Sequence, residues 1–156
     1  QSGLLVISGG PGPGKTTVVQ TSISVAEQEQ LRIILCAPTG RAAKRLSETT
    51  ERKALTIHRL LVPMGFHGRM QVFEYNETNL LKADLVIVDE VSMLDMSLMY
   101  HLFQALPPAC RVIWSGMPTS FRLSAPGPSC MILSVPAAYR LSGWIRFSGS
   151  GKAAVS

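Results

Sequence analysis

Acidic residues run out at Asp95: the 61 residues after it hold five Lys and Arg and no Asp or Glu. Up to that point ten basic residues meet ten acidic ones, so the net charge of +5 belongs to the C-terminal part and does not mark the rest as a nucleic-acid face. Long apolar runs are missing as well. No stretch approaches 18 uncharged apolar residues and no basic region precedes an apolar run at the start, so the fragment is expected to be neither secreted nor membrane-spanning. The opening Gln1 reads as an internal cut, and the expectation is a soluble, cytoplasmic fragment with no membrane partner. Cysteine is scarce and odd in number. Cys36, Cys110 and Cys130 lack metal-ligand or redox spacing, which fits a reducing compartment. Aromatic residues, at 6%, are too scattered to suggest a platform for stacking bases. What remains, 156 residues with 46% apolar content, suffices for one core and not for two independent modules.

The pattern along the chain alternates strands and helices. Leu4-Leu5-Val6-Ile7-Ser8 is a short apolar run ended by glycines, as in a strand buried on both faces. A helix is expected over 15–28, where Val18, Val19, Ile23 and Ala26 recur at helical spacing. A second apolar strand over 31–37 is closed by Pro38, and Thr39 can cap a helix that carries Ala42, Ala43 and Leu46 on one face and Arg41, Lys44 and Arg45 on the other. Residues 49–82 read as a less regular insertion around Thr56-Ile57-His58-Arg59-Leu60-Leu61. A third strand, Leu85-Val86-Ile87-Val88, runs into Asp89-Glu90; a helix over about 95–106 and a fourth strand over 111–114 follow. Met93, Met96 and Met99 follow helical spacing and are expected in the core, while His67 and His101 have no evident partners. This order predicts an α/β fold with a mostly parallel sheet covered on both sides, binding ligands at the carboxyl ends of its strands.

Gly9-Gly10-Pro11-Gly12-Pro13-Gly14-Lys15-Thr16 matches the phosphate-loop pattern Gly-x-x-x-x-Gly-Lys-Ser/Thr between a predicted strand and a predicted helix. Such a loop offers backbone N–H groups and a helix N-terminus to phosphates, a lysine to the β- and γ-oxygens, and a hydroxyl to Mg²⁺. Pro13 lacks an N–H, so one possible phosphate donor is missing. Asp89 and Glu90 close a strand, where the first can hold Mg²⁺ through water and the second can orient or deprotonate an attacking water. Hydrolysis of a nucleoside triphosphate is the expected chemistry. Read on their own, Thr39 is only a helix cap, the basic residues after it a solvated face, and His58 a packed histidine.

Four ordered segments closely resemble motifs I and Ia, an Ib-like motif, and motif II of the RecD-like superfamily 1 DNA helicases, the relatives of the exodeoxyribonuclease V alpha subunit. They are residues 9–17, Ala37-Pro38-Thr39-Gly40-Arg41-Ala42-Ala43-Lys44-Arg45-Leu46, the Thr56–Leu61 segment, and Asp89-Glu90-Val91-Ser92-Met93-Leu94-Asp95. The resemblance implies a P-loop NTPase with an incomplete RecA-like sheet over residues 1–114, ATP and Mg²⁺ as cofactors, and single-stranded DNA as the partner of the parent protein. It implies a nucleotide site of Gly10, Pro11, Gly12, Pro13, Gly14, Lys15, Thr16 and Thr17, a metal held by Thr16 and Asp89, and catalysis by Lys15 and Glu90. Pro38, Thr39 and Arg41 would touch the DNA backbone, with Thr56 and His58 near the same strand. A different P-loop ATPase without DNA translocation, or a non-catalytic nucleotide-binding fragment, are the alternatives.

The resemblance stops at Trp114. Beyond Val112-Ile113 the family continues into a Gly-Asp-x-x-Gln-Leu-Pro segment, its motif III, whereas this chain reads Trp114-Ser115-Gly116-Met117-Pro118. Tryptophan and methionine have single codons. Adding one base before the Trp114 codon permits Leu-Val-Gly-Asp-Ala-Asp-Gln-Leu-Pro-Ser-Val-Gly-Pro-Gly; the Met117/Pro118 junction must then give Ala, and the Met131/Ile132 and Trp144/Ile145 junctions must each give Asp. Residues 115–156 are therefore expected to be a frameshifted, poorly structured tail, in which Gly, Pro and Ser fill 18 of 42 positions. Such a chain would lack the motif III glutamine, the second RecA-like domain and its arginine finger, and would be inactive alone.

Overall fold

The computed structural model describes residues 4–8 and 13–117, together with three short strands at 130–131, 145–147 and 153–155. Its centre is a six-stranded sheet in the order β3 (Ala54–Thr56), β2 (Ile33–Ala37), β6 (Leu85–Val88), β7 (Arg111–Met117), β1 (Leu4–Ser8), β8 (Cys130–Met131). All neighbours run parallel except β8, which lies antiparallel to β1. Four helices connect them: α1 (Pro13–Gln28), α2 (Gly40–Thr50), α3 (Ile57–Leu61) and α4 (Met96–Ala105). The α/β, mostly parallel architecture expected from the apolar strand runs is the one observed.

Strand β6 shows why those runs are apolar throughout. Leu85 and Ile87 face one layer, with Val19, Ile23 and Ala26 of α1 and Leu46 of α2; Val86 and Val88 face the other, with Leu60 and Leu61 of α3 and Leu98 and Leu102 of α4. A strand covered on both faces has no position left for a polar side chain. On α2 the predicted inner face, Ala42, Ala43 and Leu46, is buried, and Arg41, Lys44 and Arg45 are exposed. Asp95 caps α4 by accepting from the N–H of Leu98 at 2.8 Å.

Residues 49–82, read as a less regular insertion, contain several short elements. They hold the end of α2, then β3 and α3, and then a hairpin of β4 (Pro63–His67) and β5 (Met70–Phe73). An Asn76 side chain that accepts from the N–H groups of Thr78 and Asn79 closes the segment. The hairpin leaves Met64, Phe66, Met70 and Val72 exposed and buries Phe73 at its base, where His101 packs at 4.9 Å and His58 at 6.0 Å between ring centroids. His101 thus has an aromatic partner. The expectation for Met93 and Met96 is overturned: they are 61% and 76% exposed, and only Met99 packs against the core. Met93 belongs to a separate 3₁₀ turn, Val91–Met93, so the helical spacing bridges two elements with different inner faces.

Cys36 and Cys110 are buried free thiols, each pushed up to about 12 chiefly by burial, and so unreactive. The expected coreless tail over 115–156 lies outside the described residues, apart from the end of β7 and the three short strands; β7 itself continues past Trp114 to Met117.

At the amino ends of the central strands Asp84 accepts from Arg32 three times: from its backbone N–H at 2.8 Å, its Nε at 2.9 Å and a terminal nitrogen at 3.0 Å. These hydrogen bonds, the side-chain ones first, hold the Asp84 carboxyl at about 2 against an ordinary 3.8. A lowered folded-state value stabilises the fold fully above the ordinary value and loses that contribution as pH falls toward 2. Urea midpoints measured from pH 5 to pH 2 should therefore fall more steeply for the native chain than for Asp84→Asn; parallel curves would show that the clamp adds nothing.

Candidate nucleotide site

Every parallel strand of the sheet points its carboxyl end at the same rim, so the predicted site residues fall into a row set by strand order. From one side the row reads Thr56 at the end of β3, Pro38 and Thr39 after β2, Asp89 and Glu90 after β6, Gly116 near the end of β7, and the end of β1, the strand before the helix that carries Lys15 and Thr16 in its first turn. With strands about 4.8 Å apart, β3 and β1 stand roughly 19 Å from each other, and β6 and β1 about 10 Å.

Residues 9–12, and with them Gly10, Pro11 and Gly12, lie outside the described residues. Pro13 is the first residue of α1. The first N–H of a helix has no intrahelical acceptor and the proline ring already holds a helical φ, so Pro13 opens α1 without strain. Its cost is confined to one lost donor; the amides of Gly14, Lys15 and Thr16 still belong to the first turn. Lys15 and Thr16 are half-buried, while Gly14 and Thr17 are exposed.

Thr39 caps α2, its hydroxyl accepting from the N–H of Ala42 at 3.2 Å. Thr56 does the same for α3, accepting from Arg59 at 3.2 Å. The two caps adjoin, because Ala37 pairs with Thr56 in the parallel register of β2 and β3. Arg41 stands exposed in the first turn of α2, which carries no acid. A cation there opposes the helix dipole, so this end is suited to an anion drawn by cation and amides together. His58 is exposed on α3 beside the same rim.

Asp89 continues β6, its N–H donating to the carbonyl of Cys36 at 3.0 Å. Glu90 then leaves the strand in the left-handed region, φ 53° and ψ 45°, and its carbonyl accepts from the N–H of Met93 at 3.0 Å. Both are half-buried. The left-handed turn at Glu90, and the close approach of Gly116 to it, had no sequence signal beyond the glycine itself.

A parallel sheet with a strand, a Gly-rich connection and a helix carrying Lys15 and Thr16, and an acidic pair closing a strand two places away, defines a phosphate-loop nucleotide-binding α/β domain. Comparison with known proteins narrows the class. Residues 1–118 match the AAA domain family model. The chain is 47% identical over 116 residues to the ATP-dependent RecD2 DNA helicase of Deinococcus radiodurans, covering 72% of this chain and 15% of that protein. It is 38% identical over 139 residues to the RecBCD enzyme subunit RecD of Mycolicibacterium smegmatis, covering 74% and 25%. Among solved structures, one of two coordinating Pif1 helicases at forked duplex DNA matches with a TM-score of 0.50 and 26% identity, over 73% of this chain and 29% of that one. The chain belongs to the AAA domain family, and the matched region is that of the RecD-like superfamily 1 helicases. It spans about a quarter or less of the two curated relatives named here. Among the described residues no helix is long and apolar enough to cross a membrane.

Proposed function

We propose that residues 1–114 are the first RecA-like ATP-binding domain of an ATP-dependent DNA helicase that couples ATP hydrolysis to movement on single-stranded DNA. The observation that carries this reading is the shared rim: the elements bearing Lys15, Asp89-Glu90, Thr39 and Thr56 all reach the carboxyl edge of one sheet. In this reading Lys15 and the first-turn amides of α1, with the loop of Gly10, Pro11 and Gly12, bind the phosphates, Thr17 lying beside them. Glu90 orients the attacking water and takes its proton as the bond to the γ-phosphorus forms and ADP leaves. Thr16 and Asp89 offer a hydroxyl and a carboxylate, oxygen donors that suit a hard cation. Among the described residues no cluster of three or more His, Cys, Asp or Glu could hold a metal unaided, so phosphate oxygens and water would complete its shell. Mg²⁺, when bound, neutralises charge on the β- and γ-oxygens. Pro38, Thr39 and Arg41, with Thr56 and His58, hold the DNA backbone.

Calorimetric titration tests the nucleotide half. ATP should bind about tenfold more tightly with Mg²⁺ than with chelator, and Asp89→Asn should erase that gain; equal affinity in all three conditions would refute the site. For the polypeptide alone, phosphate release should be negligible with or without single-stranded DNA. Residues 111–120, the end of β7 and the stretch that follows, hold no glutamine that could sense the γ-phosphate there. A nucleotide-binding fragment without catalysis is the second reading, favoured by Pro13 at the first turn of α1.

The frame change belongs to the same reading. Trp114 is buried, stacks on Phe103 at 5.3 Å, and leaves its Nε1 donor as the buried side-chain polar atom without a partner among the described residues; Ser115 beside it is the buried polar residue of the same set. An orphaned donor costs roughly 1–3 kcal/mol. The restored frame puts leucine and valine at these two positions, both free of that cost. Trp114→Phe, which keeps a ring and drops the donor, should change stability by less than about 1 kcal/mol, whereas Trp114→Ala, which empties the site, should cost about 3–5. A large loss in thermal melting would count against the misfit, and the gene sequence across codons 110–120 decides the frame.

A further inference from the structure

We propose that Gly116 is a positioning residue for Glu90, its missing side chain being the space in which the Glu90 backbone sits. The inference rests on the reading of Glu90 as the water-orienting carboxylate. Beyond the Val88–Trp114 pairing of β6 and β7, Gly116 draws level with Glu90 at the rim. A Cβ built on it would stand 3.0 Å from the Glu90 Cα and 3.1 Å from its nitrogen. The obstacle is backbone, and it is fixed on both sides. Asp89 is tied to β2 through Cys36, and Glu90 and Val91 accept from Met93 and Leu94 in the 3₁₀ turn, each bond 3.0 Å.

Position 116 is restricted a second time, by its own φ of +81°. Glu90 meanwhile holds a left-handed conformation that is unfavourable for a non-glycine residue and persists only where its surroundings impose it. Two neighbouring left-handed residues on adjacent strands therefore set where the carboxylate leaves the sheet. A side chain at 116 moves Glu90. The restored reading frame, Leu-Val-Gly-Asp, also has glycine at this place, so the inference is the same in either frame.

The experiment separates the contact from the φ of Gly116. Gly68 has φ +66° with nothing within 4 Å of a built Cβ, so Gly68→Ala reports backbone strain alone. In the 156-residue chain Gly116→Ala should lower the urea midpoint at least twice as far as Gly68→Ala, and should shift the amide resonances of Asp89, Glu90 and Val91 while those of β2 stay in place. In a Glu90→Gly background, where the facing backbone is free to relax, the cost of Gly116→Ala should fall to that of Gly68→Ala. Equal costs in both backgrounds, with unmoved amides at 89–91, would overturn the proposal. If Gly116→Ala does not fold, a folded double variant supports the contact and an unfolded one refutes it. These readouts need no nucleotide, so they stand apart from the Mg²⁺-ATP titrations: a silent Asp89→Asn would sink the functional reading and leave the positioning result intact, and the converse also holds.

Discussion

Replacing Lys15 with alanine is expected to weaken Mg²⁺-ATP binding about 10- to 100-fold, the loss that follows when one charge-assisted contact worth about 1.5–3 kcal/mol is removed from a phosphate. Lys15 sits in the first turn of α1, where its charge adds to the amides that face the rim. The change should be local. Its side chain is half-buried and the core contacts of α1 come from Val19, Ile23 and Ala26, so the urea midpoint should stay near that of the native chain. Lys44→Ala is the matched control, since Lys44 is exposed on α2 and pairs with Glu48 at 3.9 Å, and it should leave ATP affinity unchanged. A fall of less than threefold for Lys15→Ala would refute the proposed phosphate loop, and with it the proposed helicase function.

The second large effect concerns the sheet. Ile87 is fully buried in β6 and pairs with Leu35 on one side and Ile113 on the other, while α1 and α2 cover its face. Ile87→Ala removes three carbons from a site whose neighbours are held by backbone ladders and cannot close the gap, which places the cost at about 3–5 kcal/mol. Domains of this size have roughly 5–15 kcal/mol to lose, so the variant should unfold at a urea midpoint about 2 M lower. Val25, 49% exposed on α1, gives the contrast: Val25→Ala should stay within about 0.5 kcal/mol. A small shift at Ile87 would mean that β6 is not the packed centre of this fold.

What could be read from the sequence was what local physics encodes. Leu85–Val88 announced itself because burial on two faces demands an unbroken apolar run. Thr39 with Ala42, Ala43 and Leu46 announced α2 because a cap and a 3.6-residue stripe lie within one short window. The hairpin after α3 was missed for the opposite reason: Phe66 and Met70 sit on opposite faces of its ladder and both are exposed, so no alternation marks its strands, although Gly68 supplied the turn. The exposed Met93 and Met96 fit a helical period that the cap at Asp95 interrupts. The fit between Gly116 and Glu90 joins residues 26 positions apart, and no window short enough to scan for periodicity contains both.

Strand β1 finds its parallel neighbour more than 100 residues later, Leu4 lying beside Val112. As the polypeptide leaves the ribosome, the residues after β1 that are proposed to bind phosphate therefore have no sheet to brace them until residues 111–117 have also emerged. Everything needed to seat them is translated ahead of the tail, and a nascent chain stalled before codon 111 should be unable to retain nucleotide.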